Sequence, residues 1–309
     1  MIGEGASLDV LTIGETMVLV MPEMPRPGEP PRSAALGIAG ADSNVAIGGA
    51  LLGLRTAWYS RLGTGPMAEV VLSRVAERGV HVSHVRTDAG RPTGLLVKSV
   101  SDTGTRVDYY RAGSAASAME PGDLDSLPSA KVVHTTGVTA ALSPSCLELV
   151  ERALDAAFPD SVTSFDVNHR AALWRSHADA ADTLLRLGRR ADVVFVGLDE
   201  AEHLWGTSTP EEVRRLLPEP QHLIVKDAEV QAVEFSGDGV TRLAPSPVDV
   251  LEPVGAGDAF AAGWLAGLVL GKPSTVRLAV GHRLAAAALR SASDQPDSVP
   301  DEAREALSS

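Results

Sequence analysis

Short apolar runs alternate with longer segments of helical pattern along most of this chain, and that alternation restricts the fold more than any other feature. Runs at 9–13, 57–62, 131–135, 162–167, 192–196 and 223–226 have strand length. Segments at 43–54, 67–78, 145–157, 179–187, 210–217, 259–270 and 274–292 have helix length. In 67–78, Val70, Val71 and Val75 recur at helical spacing and Gly79 follows as a stop. Strands that are apolar on both faces need cover on both faces, and helices in the connections supply it. The reading is an α/β fold with a central, mostly parallel sheet flanked by helices. Two stretches break the rhythm. Segment 17–36 is Pro-rich and extended, and 93–111 holds strand-like runs at 95–100 and 106–110, joined by a turn at Asp102, Thr103 and Gly104. They read as a small β-sheet, built from inserted segments at about 17–38 and 93–112, within one domain spanning 1–309. The polar tail after 294 has room for one short helix.

A chain of 309 residues, 44% hydrophobic and 22% charged, can bury a large core. Its net charge of -13 argues against nucleic acid or an anionic membrane as the main partner. Any phosphate-handling site must therefore concentrate positive potential locally. The single cysteine, Cys146, excludes an internal disulfide framework, fits a reducing compartment and reads as a packed small side chain. The first residues lack the basic and apolar regions of a secretion signal, and no run approaches the roughly 18 apolar residues of a membrane span. A cytoplasmic location is the expectation.

The stretch Glu252-Pro253-Val254-Gly255-Ala256-Gly257-Asp258-Ala259-Phe260 concentrates the chemistry. It puts Gly255 to Gly257 at the start of the helix at 259–270, where backbone N–H groups lack intrahelical partners and the helix dipole is positive. Such a site suits an anion, and glycine lets the backbone approach a phosphate closely. Asp258 beside that anion hole can act as a base toward a hydroxyl that attacks the phosphoryl group. Without further context the string is a Gly-rich turn with Asp as a first-turn helix stabiliser.

The string resembles the C-terminal signature of the ribokinase-like (PfkB) carbohydrate kinases, Asp-Thr/Pro-x-Gly-Ala-Gly-Asp-x-Phe, with Glu252 at the first Asp position. The resemblance runs over nearly the whole chain. It implies a ribokinase-like fold, ATP and Mg²⁺ as cofactors, Asp258 as catalytic base, and Gly255, Ala256 and Gly257 as the anion hole. It also implies that the small sheet is a lid over the sugar, often the contact of a homodimer. Ala39-Gly40-Ala41-Asp42-Ser43-Asn44 is similar to the family's Gly-Gly-x-x-x-Asn motif, which makes Gly40 and Asn44 sugar contacts. Read without the family, the same stretch is a loop and N-cap, with Asp42 or Ser43 as the cap.

Two further strings resemble 2-keto-3-deoxygluconate kinases within that family. One is Tyr109-Tyr110-Arg111-Ala112-Gly113-Ser114-Ala115-Ala116-Ser117. The other is Asp166-Val167-Asn168-His169-Arg170, followed by Leu173-Trp174. They imply that Arg111 and Arg170 hold a substrate carboxylate and that Tyr109 offers its hydroxyl. Without the resemblance, the first string is an exposed strand with a solvated arginine. Asp166, at a strand's carboxyl end, could help hold a hydrated Mg²⁺. Glu200 occupies the glutamate of the family's Asn-x-x-Glu motif, with Gly197 at the Asn position. On the nucleotide side Lys226 is retained, Asp227 to Ala232 lacks the family's two glycines, and His282 stands by the implied adenine pocket. Leu96 replaces a Tyr usual in the subfamily.

There is no P-loop, no Gly-x-Gly-x-x-Gly after the first strand and no Gly-x-Ser-x-Gly elbow. The expectation is an ATP-dependent kinase for 2-keto-3-deoxygluconate. The alternatives are another sugar such as fructose, a nucleoside, or a sugar-binding regulator that turns over poorly.

Overall fold

The computed structural model describes residues 7–23, 31–101, 104–155, 157–291 and 293–308. The expected turn residues Asp102 and Thr103, and positions 24–30 of the first inserted segment, lie outside them. The larger sheet has eight strands. From one edge they are β14 (Gly239–Leu243), β13 (Gln231–Ser236), β12 (His222–Asp227), β11 (Val193–Gly197), β10 (Val162–Asp166), β9 (Ala130–Thr136), β1 (Leu8–Ile13) and β4 (Thr56–Tyr59). The pairs from β4 through β12 are parallel, and the hairpins to β13 and β14 are antiparallel. The expected mostly parallel sheet is therefore present.

Alternate strand residues feed two cores, as a pleated strand requires. Leu11, Val133, Val194 and Val225 belong to one core, with Leu149 of α4 (Pro144–Asp155) and Leu184 of α5 (His177–Gly188). Val10, Val132, Phe195 and Ile224 belong to the other, with Trp264 of α8 (Ala256–Val269) and Leu278 of α9 (Ser274–Leu289). Helix α1 (Ala41–Leu51) contributes Val45 to that second core, and α10 (Asp301–Ser308) contributes Ala303. A third core lies under α2 (Pro66–Glu77) and includes Val18, Ile47 and Trp58.

The inserted segments form a separate four-stranded sheet in the order β3 (Ala34–Ala39), β2 (Met17–Pro22), β7 (Leu95–Ser101), β8 (Gly104–Tyr110). Several elements differ from the sequence reading. The run at 57–62 breaks at Ser60 into β4 and β5 (Arg61–Leu62), and β5 pairs with β6 (Arg86–Thr87). The hairpin of β13 and β14 was not anticipated, because its strands lack the helical spacer of the other units. Three short helices, α3 (Gly137–Ala140), α6 (Leu198–Trp205) and α7 (Pro210–Leu216), connect the parallel strands. Only α7 was anticipated. No helix among the described residues is long and apolar enough to cross a membrane.

Strand β1 has β4 on one side and β9 on the other, so the connections change direction there. Ligands gather beyond the carboxyl ends of strands at such a switch point. Helix α8 is aimed at this point by close packing. A side chain at Gly263 would sit 2.7 Å from the Val280 carbonyl and 2.9 Å from the Gly281 backbone. Backbone cannot yield as a flexible side chain does, so Gly263→Val should lower stability by about 3 kcal/mol or more. Urea unfolding followed by tryptophan fluorescence checks this, and an unchanged midpoint would refute the packing argument.

Candidate active site

The carboxyl ends of β1 and β9 to β12 open onto a cleft of about 1390 Å³, with Met17, Leu96 and Tyr109 of the small sheet on another wall. Helix α8 begins there. Its N-cap, Gly255, takes the left-handed conformation at φ 83°, and a side chain would overlap the Asp294 carbonyl. Glycine alone meets both demands. A Cβ at Gly257 would lie 3.4 Å from Lys226 Nζ, so an ammonium stands against the turn whose N–H groups are free for an anion.

Asp258 follows in the first turn and is only 9% exposed. Its Oδ2 accepts from Asn44 Nδ2 at 2.9 Å and its Oδ1 from Asn168 Nδ2 at 3.2 Å. Burial pushes its pKa up to about 7; Asp166 adds to the rise, and the Asn44 hydrogen bond, Arg170 and Lys226 oppose it. A base poised near neutrality suits proton abstraction from a hydroxyl. Asn168 takes φ 37°, a left-handed conformation that Asn tolerates, while its N–H donates to Asp166 Oδ1 at 3.2 Å. The bend turns its amide onto Asp258.

Asn44 is tied at both ends, since its Oδ1 accepts from Gln295 Nε2 at 2.9 Å. Asn44, expected as a sugar contact, lines the cleft and spends these two hydrogen bonds on Asp258 and Gln295. Gly40 lines the cleft, but a Cβ there would overlap the backbone of Glu15 and Thr16, so close chain packing already requires glycine. The capping alternative for Asp42 and Ser43 is incorrect. Gly40 is the N-cap, and the buried Asp42 carboxyl turns inward to accept from Thr139 at 3.0 Å and Thr136 at 3.2 Å. Burial drives its pKa well above the ordinary carboxylate value.

Asp166, Glu200 and Lys226 form a second charged group. Lys226 Nζ donates to Asp166 Oδ2 at 2.8 Å. Glu200 accepts the N–H groups of Gly197 and His169, each at 2.9 Å. Burial raises the Glu200 pKa, and Asp166 adds to that. Burial opposes the Lys226 charge, yet the two carboxylates outweigh it and hold its pKa above the ordinary value.

The predicted carboxylate clamp faces the same cleft. Arg111 Nη2 is 2.5 Å from Glu15 Oε2, and Ser114 Oγ donates to Glu15 Oε1 at 2.5 Å. The Arg111 guanidinium lies 5.9 Å from the Tyr109 ring centre. Arg170 is exposed and donates to the neighbouring His169 carbonyl at 3.0 Å. His282 lines the far end, with its Nε2 2.9 Å from the Leu243 carbonyl and its ring edge-on to Phe260. Glu15, Asn168 and Gln295 were given no role in the sequence reading. Only Asn168 carried a signal, by lying inside the Asp166 to Arg170 string.

A buried carboxylate, a helix amino end and a lysine share one cleft at the switch point of the α/β sheet, and phosphoryl transfer uses groups of these kinds. The chain matches the profile of the pfkB family carbohydrate kinases over residues 7–302, and it belongs to that family. It is 34% identical over 278 residues to a 2-dehydro-3-deoxygluconokinase of Bacillus subtilis (strain 168), covering 85% of this chain and 84% of the relative. A 2-dehydro-3-deoxygluconokinase of Thermoproteus tenax is 34% identical over 265 residues, covering 83% of this chain and 80% of the relative. Among solved structures, a PfkB protein from Polaromonas sp. JS666 superposes with a TM-score of 0.84 at 36% identity, covering 92% of this chain and 96% of the other. The chain is thus a phosphotransferase with an alcohol acceptor.

The pKa of Asp258 sets a pH dependence. If Asp258 acts as a base it must be ionised, and kcat/KM should then fall tenfold per pH unit below about 7 and level off above it. Asn44 stabilises the ionised form, so Asn44→Ala should move that acid limb to higher pH. A limb that stays in place would show that Asn44 does not act on the base.

Proposed function

We propose that this kinase phosphorylates a sugar acid, 2-keto-3-deoxygluconate, on its terminal hydroxyl, with ATP as donor. The observation that carries the reading is the presence of Arg111 and Arg170 in the same cleft as Asp258. A six-carbon acid held by its carboxylate at the arginines presents its other end to the base. Similarity to two 2-dehydro-3-deoxygluconokinases supports the same substrate. The rest of the cleft suits a nucleotide, since Val248, Val250, Val254, Ala285 and Leu289 offer apolar surface to a base. The lost glycines at 227–232 are compensated in part by Ala228, which takes φ 37° without one.

Asp258 accepts the hydroxyl proton as the oxygen attacks the terminal phosphoryl group. The N–H groups from Gly255 to Gly257 receive the charge that develops there, and Lys226 offsets phosphate charge. Asp166 and Glu200 outnumber Lys226 and leave negative charge facing the cleft, which fits a Mg²⁺ carried mainly by water and phosphate. Such an ion would screen the phosphates. Among the described residues no cluster of three or more His, Cys, Asp or Glu forms a full protein cage for a metal. The small sheet acts as a lid that keeps water from competing with the sugar. Its exposed Tyr110 and Leu36 suit a homodimer contact, and sedimentation equilibrium should give twice the monomer mass.

The test is ADP release with ATP and Mg²⁺ over 2-keto-3-deoxygluconate, gluconate, fructose, ribose and adenosine. Turnover on the keto-deoxy acid alone is expected. Turnover only on a neutral sugar or nucleoside would discard the carboxylate clamp, and silence with retained sugar binding would favour a regulator. Asp258→Asn should lower kcat by about 10²–10⁴. Arg170→Ala should raise KM for the acid by about 10- to 100-fold, the loss of one charged hydrogen-bond pair.

A further inference from the structure

A buried charged cluster lies behind the anion hole and belongs to none of the groups above. Lys98 is on β7, two residues after Leu96, so it points from the small sheet toward the cleft side as Leu96 does. Its ammonium contacts Glu252 Oε2 and lies 3.8 Å from Asp294 Oδ1. The three side chains are 7%, 15% and 8% exposed, respectively. Asp294 Oδ1 takes no hydrogen bond, so Lys98 is its one source of compensation among the described residues.

Both acidic residues touch the frame of the anion hole, Glu252 through its carboxylate and Asp294 through its backbone carbonyl. The second oxygen of Glu252 accepts the Val254 N–H at 3.1 Å, which fixes the turn leading into Gly255. The Asp294 carbonyl packs where a Gly255 side chain would be. The next residue, Gln295, holds Asn44, and Asn44 holds Asp258. Lys98 therefore joins the turn before α8 to the strap behind it, from a separate sheet 154 residues away in sequence from Glu252. Removing one positive charge would leave two buried carboxylates facing each other without a counterion, an arrangement that drives such groups apart. The long arm of Glu252 suits this contact with the lid.

We infer that Lys98 is a positioning residue for phosphoryl transfer: it pins the turn at 252–254 and the strap at 294–295 around Gly255, and so ties the order of the anion hole to the small sheet. The inference rests on the kinase reading for its catalytic consequence, but its structural core can be tested without turnover. Lys98→Met, Glu252→Gln and the double variant should be compared with the unmodified chain by amide hydrogen exchange and by steady-state kinetics.

In Lys98→Met, amides at 254–259 should exchange at least tenfold faster while those of β10 and β11 stay unchanged. Turnover should fall by about 10²-fold, the scale of a small misplacement of reacting groups, with KM for ATP and sugar acid shifting less than threefold. The double variant removes one of the two carboxylates left unpaired and should regain part of the protection and of kcat, a non-additive pattern that distant sites do not give. Unchanged exchange at 254–259 overturns the proposal whether or not the chain turns over any sugar. A uniform rise in exchange across the sheet, with kcat per folded molecule intact, also overturns it, because Lys98 would then serve stability alone. If the unmodified chain phosphorylates no member of the panel, the kinase reading fails while the exchange result still decides the role of Lys98.

Discussion

The cleft depends on how the amino end of α8 is held. Helix α8 runs through the interior, with Ala261, Trp264 and Ala266 fully buried, so its first turn cannot drift without disturbing the core. Gly263 admits the α9 backbone, and Gly255 admits the carbonyl of Asp294. Small residues at these contacts let a helix end be fixed by backbone rather than by mobile side chains. Fixed N–H groups are the useful kind for transition-state charge, because they need no reorganisation when that charge develops.

This placement also addresses the charge problem. A protein with a net charge of -13 repels phosphate on average, and the cleft itself holds Asp166, Glu200 and Asp258. Positive potential comes from the α8 turn, from Lys226 beside Asp166, and from Arg170. Burial of Asp258 then serves two ends: it raises the pKa toward neutrality and weakens the carboxylate's repulsion of an approaching anion. Asn44 keeps the ionised form accessible by donating to it, and Arg170 and Lys226 act in the same direction, so its pKa settles near 7 rather than higher.

The α/β rhythm and the signature around Asp258 were legible in the sequence because each is local. Strand period, helix period and the Gly-Ala-Gly-Asp string require no knowledge of distant partners. The β13 and β14 hairpin was missed although its two-residue Gly237-Asp238 connection is a hairpin signal, because the mixed polar run at 231–243 lacks the strong alternation that marks strands. The contacts of Asn44 were not legible for another reason. Asn44 and Asp258 lie 214 residues apart, and only the packing of α1 against α8 brings them together. Lys98, in a strand, and Glu15, in the loop between β1 and β2, escaped notice because a lone charged residue looks solvated until its partner is known.

The arginines, equal in the sequence, differ in the fold. Arg111 is already matched to the buried Glu15, which fixes its geometry but neutralises its charge. A substrate carboxylate meeting Arg111 must share the guanidinium with Glu15, so this contact contributes orientation more than attraction. Arg170 is exposed and, among the described residues, hydrogen-bonds a carbonyl beside it and makes no direct ion pair, so its charge can attract an anion. A neutral sugar would leave the Arg111 and Glu15 pair undisturbed and Arg170 in water, so it would break no existing ion pair. Discrimination against neutral sugars on this reading therefore comes from attraction at Arg170 rather than from a penalty at Arg111, and a clamp of that design favours acids by degree instead of excluding other sugars outright.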